Sequence, residues 1–387
     1  MDDDILASDE GKLAKKITDE LIHVCKCKEK RAVHTLGIGA TGVFEASPVA
    51  REYCIAKHFQ GGTVPVTVRF SNGAGNPERR DGWSDVRGLA VRFHLDGDRD
   101  GQEATDLIAM TLPLFFTRTG EEFYEFILAG RPAPCFRQSP WRKILDYLAM
   151  KIPMPDPYPG QKKRPDEGAI EYADGIKSKL VDTPSGEVNL QVPDTSAKSA
   201  QLGVLLASAI GAPESYVMAT YAAVHTFIVT APAPDSNPAS EGVRRWVRFA
   251  WEPVDGVLKK RPRDWPHHDP AEPPEVDYLN QRLKDRIERG PARFELIMTI
   301  GEVGDDFNDP TRPWPPHRVR VIMGKLILDK VPDEQEQDER IEKMNFNPLH
   351  LTEGIAPSDD PVLALRGISY WYSSNQRGGL TCPFSRM

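Results

Sequence analysis

Short runs of alternating apolar and polar residues succeed one another through most of the chain. Few of the intervals between them hold a helical crossover of the kind that parallel strands require. Val64-Pro-Val-Thr-Val-Arg69-Phe-Ser71 alternates cleanly, Arg87-Gly-Leu-Ala-Val-Arg-Phe-His-Leu95 does the same, and residues 106–110 form a third run. Others cover 216–230, 244–251, 293–300 and 318–328. Such a succession predicts antiparallel strands. With helices left for the periphery, it predicts an α+β protein built on a closed antiparallel β-barrel of about eight strands.

The stretches between add detail. Leu13, Ile17 and Leu21 recur every four residues with Val24 beside them, which predicts an amphipathic helix over 8–28. Gly37, Gly39 and Gly42 exclude a helix there and predict a bent or bulged strand. Residues 72–87 are rich in Gly, Asp and Arg and read as a loop. Thr119-Gly-Glu-Glu122 is a capping box that opens a helix carrying Phe123, Phe126 and Ile127. Helices are also expected over 141–150, 198–210 and 276–289, with a proline-rich surface loop over 153–165. The polar segment 331–359 reads as a long wrapping connection. No linker is long enough to demand two domains. We therefore expect one domain over 1–387: an N-terminal helix in 1–30, the barrel in 31–330, and the wrapping segment with its final helix in 331–387.

Composition removes several function classes. A net charge of −8 argues against nucleic acid as the main partner. No apolar run approaches the ~20 residues that span a bilayer. The first residues, Met1-Asp-Asp-Asp-Ile5, are acidic and do not resemble a secretory signal. Five scattered cysteines fit free thiols in a reducing compartment, so a cytoplasmic location is expected. His23-Val-Cys25-Lys-Cys27 matches no standard zinc spacing, and His267-His268-Asp269 reads as surface. No phosphate-binding loop, dinucleotide fingerprint or nucleophile elbow is found.

The chemistry-bearing stretch lies near the end. Asp360 before Pro361 is a helix start, an N-cap acceptor followed by a ring already at helical φ. Arg366 and Tyr370 are then one turn apart, and Arg377 lies seven residues beyond Tyr370, so all three are expected along one side. A phenol between two guanidiniums is poised to ionise, and tyrosinate is one of the few protein ligands of haem iron. Taken alone, the pair reads first as an ordinary helix-surface arginine and a core aromatic, since Arg and Tyr four apart are common.

The order of the remaining motifs is what makes the case specific. Arg31-Ala-Val33-His34 with its following glycines, Val64 to Ser71, Asp85-Val-Arg87-Gly-Leu, Asp106 to Phe116, Tyr221-Ala-Ala-Val-His225, Phe307-Asn-Asp-Pro310, Gly324-Lys-Leu-Ile-Leu328, Asn345-Phe-Asn-Pro348 and Arg366 to Tyr370 follow one another in this chain. In that order the chain resembles the haem catalases, and more narrowly the small catalase-related peroxidases, over roughly residues 30–380.

The resemblance implies a haem b enzyme. Tyr370 would ligate the iron from one face. His34 would stand over the other as acid and base, moving a proton between the peroxide oxygens on the way to a ferryl intermediate. Ser71 would hold the His34 tautomer. Arg31, Arg69 and Arg377 would pair with haem propionates, with Arg366 beside Tyr370. Val33, Phe115, Phe116 and Phe123 would line the pocket, and His225 falls at a histidine position near the Tyr370 side.

Three departures bear on activity. Catalases carry an asparagine over the haem, and Met110 takes that place here, followed by Thr111. Trp371, Tyr372 and Ser373 follow Tyr370 in place of the usual Pro-Asp-Thr. The long C-terminal helical region of typical catalases has no counterpart before Met387. The leading expectation is a peroxidase that oxidises a small organic reductant, with weak catalase activity, assembled as a homodimer or homotetramer. The alternatives are a true catalase, a hydroperoxide isomerase of the allene oxide synthase kind, and a haem-binding protein without turnover. Val33 argues against the isomerase, in which a threonine would precede the histidine.

Overall fold

The computed structural model describes residues 2–25, 30–73, 81, 85–97, 103–129, 213–233, 242–257 and 278–378. The helices expected over 141–150 and 198–210, the 153–165 loop and His267-His268-Asp269 lie outside them. Among the described residues ten strands form: β1 (Gly37–Ala46), β2 (Thr63–Asn72), β3 (Arg87–His94), β4 (Ala104–Met110), β5 (Tyr221–Ala222), β6 (Phe227–Thr230), β7 (Arg244–Pro253), β8 (Ala292–Ile300), β9 (Arg320–Lys330) and β10 (Ile355–Pro357), the last inside the segment read as a wrapping connection. The order β7-β5-β4-β3-β2-β1-β9-β8 closes on itself through β7–β8 pairing, which makes an eight-stranded antiparallel barrel. Strands β6 and β10 extend the sheet beside β7. The closed barrel expected from the alternation is present.

Inward-facing aromatics fill the barrel. Phe44, Phe93, Trp251, Phe70 and Phe294 are all fully buried, and Phe44 meets Phe93 edge-on at 5.2 Å. The expected irregularity of β1 sits between Thr41 and Gly42, where its register against β9 shifts. A side chain at Gly42 would put Cβ 1.9 Å from the Ile327 carbonyl oxygen, so the close approach requires glycine.

Residues 216–230 do not form one strand. A short 3₁₀ turn (Tyr216–Met218), β5 and β6 divide them. Ala223 N still donates to Phe249 O, at 2.8 Å, but the chain then leaves the ladder and His225 turns toward the last helix. Strand β4 pairs with β5 through Met110 and Ala222 alone, so the barrel is most weakly laced beside Met110.

Among the described residues, four helices of ten residues or more lie outside the barrel: α1 (Asp9–Cys25), α2 (Gly120–Ala129), α3 (Tyr278–Glu288) and α4 (Pro361–Gln376). The capping box holds at α2, where Glu122 N donates to Thr119 Oγ1 and Thr119 N to Glu122 Oε2, both at 3.3 Å. Ala14 and Ile17 of α1, Ile127 of α2 and Leu365 of α4 bury one another in a cluster. The wrapping segment binds the barrel through side chains that replace strand partners. Gln337 exchanges hydrogen bonds with both backbone groups of Gly39, at 2.8 and 2.9 Å. Asp106 accepts two bonds of 2.7 Å from Arg92 and one of 2.9 Å from Asn347 N, while Asn347 Nδ2 donates to Gly367 O within α4. These ties set α4 against the barrel mouth.

Candidate active site

The first row of polar groups begins at the start of α4. Asp360 Oδ1 accepts from Val362 N at 2.8 Å and Leu363 N at 3.3 Å, the expected N-cap. Its other oxygen contacts His225 Nδ1 at 2.6 Å, and both side chains are buried. Arg366 Nη1 lies 2.8 Å from His225 Nε2. A guanidinium only donates, so Nε2 is the acceptor and the imidazole proton sits on Nδ1, donated to Asp360. Burial pushes His225 below its ordinary pKa against the pull of Asp360, which keeps the ring neutral. Arg366 Nη2 then donates to the Tyr370 phenol oxygen at 2.9 Å. A charge-assisted donor of this kind steadies negative charge on the oxygen it touches.

Among the described residues the phenol has one guanidinium, not two. Helix α4 ends at Gln376, and Arg377, with φ −100°, is out of helical phase. Its Nη2 donates to Met344 O at 3.3 Å and its Nη1 to Ser373 Oγ at 3.5 Å.

The second group is centred on His34, which precedes β1. Its Nδ1 lies 2.9 Å from Ser71 Oγ. Gly88 on the neighbouring strand makes room: a Cβ there would stand 2.7 Å from Ser71 Oγ and 2.8 Å from the His34 ring. Met110 is paired with Gly88 in the β3–β4 register. Its side chain is buried with Leu112, Leu114 and Phe115, and Phe116 and Phe123 pack against that cluster. The Thr111 hydroxyl is engaged, accepting from Arg87 N at 3.0 Å. Burial pushes His34 down to about 4, with Asp85 opposing and the charges of Arg69, Arg366 and Arg31 adding to it. The field of Arg366 therefore acts on both the Tyr370 oxygen and His34. Phe115 bridges the same space, 5.9 Å from the Arg366 guanidinium and 5.8 Å from the His225 ring. Val33 is half-buried beside His34.

The third group gathers Arg31, Arg69 and Arg377. The family resemblance implies that all three meet propionates, but they are not equivalent. Arg69 is buried and donates to both carboxylate oxygens of Glu342, at 2.6 and 3.2 Å, to His34 O at 2.9 Å and to Thr35 O at 3.3 Å. Four of its five N–H groups are thereby committed. Arg31 Nη2 faces the carbonyls of Ile341, Glu342 and Met344 at 3.0–3.2 Å. The Nε groups of Arg31 and Arg377 are buried with no hydrogen-bond partner. Burial, together with the charges of Arg69 and Arg377, pushes Arg31 well down. Among the described residues Glu342 is the one carboxylate set against these three guanidiniums, which leaves an excess of positive charge there. A flat apolar ligand with two carboxylates fits this arrangement.

Sequence reasoning missed three participants. Asp360 reads as a cap, and nothing local shows that its second oxygen meets a histidine 135 residues earlier. Glu342 lies in the charged run Asp338-Glu-Arg-Ile-Glu342-Lys343 and looks like a solvated face. Gly88 sits inside a quoted strand motif without a visible reason to be glycine. His23-Val-Cys25 belongs to the end of α1, and Cys27 lies outside the described residues. Among the described residues no cluster of His, Cys, Asp and Glu could hold a metal ion.

The Catalase family profile matches residues 17–153 and 191–383. A catalase-related peroxidase of Mycolicibacterium paratuberculosis is 30% identical over 350 residues, which covers 90% of each chain. A catalase-related peroxidase of Synechococcus elongatus is 28% identical, covering 90% of this chain and 83% of the relative. Catalase-2 of Bacillus subtilis is 27% identical, but this chain covers 43% of its length. Among solved structures, a fungal catalase superposes with a TM-score of 0.64 at 20% identity, and catalase A from Saccharomyces cerevisiae likewise at 0.64 and 20%. This chain spans 61% and 64% of their respective lengths.

Proposed function

The chain belongs to the catalase family, and from that premise we propose a haem-dependent peroxidase that reduces hydrogen peroxide or organic hydroperoxides while oxidising a small organic donor. It is an oxidoreductase that acts on peroxide. Tyr370 would ligate the iron of haem b. Arg31, whose Nε lies 3.5 Å from Glu342 Oε2 without a hydrogen bond, Arg377, whose buried Nε has no hydrogen-bond partner, and Arg69 with its one spare N–H would take the propionates. Val33, Phe115, Phe116 and Phe123 would wall the ring. Bound haem supplies an iron able to accept a peroxide oxygen and exchange electrons with it.

The chain's own residues handle protons and polarity. His34, held near 4, is neutral at neutral pH and so ready to take a proton from a peroxide O–H and return it to the oxygen that leaves. Ser71 occupies Nδ1, which turns Nε2 toward the reacting space. The row Asp360–His225–Arg366 keeps a donor on the Tyr370 oxygen. Met110 offers no donor to a second peroxide, and Thr111 is engaged, which supports donor oxidation over dismutation. Catalase turnover is accordingly weak in this reading. A cytoplasmic location, one domain over the chain and a homodimer or homotetramer belong to the same proposal; among the described residues no helix is long and apolar enough to cross a membrane.

The observation that carries the reading is a neutral, Ser71-held His34 within the field of the same arginine that grips Tyr370. Absorption spectra of the purified protein and of Tyr370→Phe test it. The wild type should show a ferric haem spectrum, and the variant should lose most of its haem or shift its charge-transfer bands. An unchanged spectrum in the variant would refute the ligand assignment.

A further inference from the structure

His34 is the one non-glycine residue with positive φ among those described, at +58°. A side chain in this region is strained and persists only where the surroundings over-determine it. Four contacts do so here. His34 N donates to Gly73 O at 3.2 Å. Ser71 holds the ring. Arg69 Nη1 donates to the His34 carbonyl at 2.9 Å, and Nη2 to the next carbonyl, Thr35 O, at 3.3 Å. Arg69 is itself fixed, since Glu342 takes Nε and Nη2 with its two oxygens. The planar fork of arginine suits this task, because it reaches four acceptor oxygens at once, two of a carboxylate and two carbonyls, one more than the three N–H groups of an ammonium can meet. The small glycine surface of Gly37 lets the guanidinium approach; a Cβ there would stand 2.7 Å from its central carbon.

We propose that Arg69, braced by Glu342, is a positioning residue that clamps the main chain after His34 and holds the imidazole in its working place. The proposal rests on His34 being the proton-transfer group. It assigns Arg69 a role that its commitment to propionate alone would not require, and it gives Glu342 a function. Propionate contact would use the spare Nη1 hydrogen and leave the clamp intact.

Cyanide binding to the haem-loaded ferric protein tests this without turnover, since hydrogen cyanide must give its proton to a nearby base as it binds. Arg69→Lys and Glu342→Gln are compared with the wild type and with His34→Ala, each at matched haem content. A histidine-selective ¹⁵N spectrum of each apoprotein follows the His34 signals. We expect Arg69→Lys to slow cyanide association on the order of 10²-fold, the scale of a misplacement of about 1 Å. Glu342→Gln should slow it less. In both, the His34 signals should move before haem is added. If His34→Ala slows cyanide while Arg69→Lys and Glu342→Gln leave both the rate and the His34 signals unchanged, the clamp is refuted and His34 stands. If His34→Ala itself leaves the rate unchanged, the reading of His34 falls instead. Should Arg69→Lys fail to fold, Glu342→Gln, which keeps the arginine, decides the matter alone.

Discussion

Asp360→Asn isolates the row that leads to Tyr370. The carboxylate serves two masters: Oδ1 accepts two buried backbone N–H groups, and Oδ2 accepts the His225 proton. An amide has a single acceptor oxygen, and the two cap donors outnumber the one imidazole donor, so the oxygen stays at the cap. Asparagine caps about as well as aspartate, so the start of α4 should keep its stability within a few tenths of a kcal/mol. The amide NH₂ then faces His225 Nδ1, which must become an acceptor. The ring proton moves to Nε2, where it meets the Arg366 Nη1 donor 2.8 Å away. A buried donor left facing a donor costs about 1–3 kcal/mol. Asp360→Ala should cost roughly a further 1 kcal/mol, because the cap goes too. Urea denaturation of the apoproteins measures both differences, the ¹⁵N spectrum of His225 reports its tautomer, and the ferric charge-transfer bands report Arg366 at the phenol. An unchanged His225 tautomer and unchanged stability in Asp360→Asn would refute the hydrogen-bond order argued here.

Three further outcomes are expected. Met110→Asn should raise oxygen evolution relative to dye oxidation at matched haem content, while burying an unpartnered amide among Leu112, Leu114 and Phe115 lowers stability by about 1–3 kcal/mol; oxygen-electrode and dye assays on both proteins check it. Gly88→Ala should push Ser71 away from His34, since its Cβ would stand under 3 Å from both; loss of the His34–Ser71 contact should appear in the apoprotein ¹⁵N-histidine spectrum. His34 and His58, held near 4 and 3 by burial, bind protons more readily unfolded than folded, so apoprotein stability should fall as pH drops from about 6.5 toward 4. His34→Gln should flatten that slope in urea melts taken across the range.

What local pattern controls was readable from the chain. Alternation with period two specifies which face of each strand is buried, and the scarcity of crossovers leaves antiparallel pairing and closure as the remaining solution. The Asp360–Pro361 cap, the capping box at Thr119 and the Arg366–Tyr370 spacing are set within a few residues, so they survive folding as read. The tertiary structure decided what depends on residues far apart in sequence. His225 leaves its strand because Asp360 and Arg366, more than 130 residues later, supply its two partners. Arg69 has most of its N–H groups committed to protein acceptors because Glu342 reaches it from the wrapping segment, 273 residues away. Arg377 misses the phenol because α4 ends one residue before it. Hydrogen-bond donors on a long side chain reach several partners equally well, and only the packed fold selects among them.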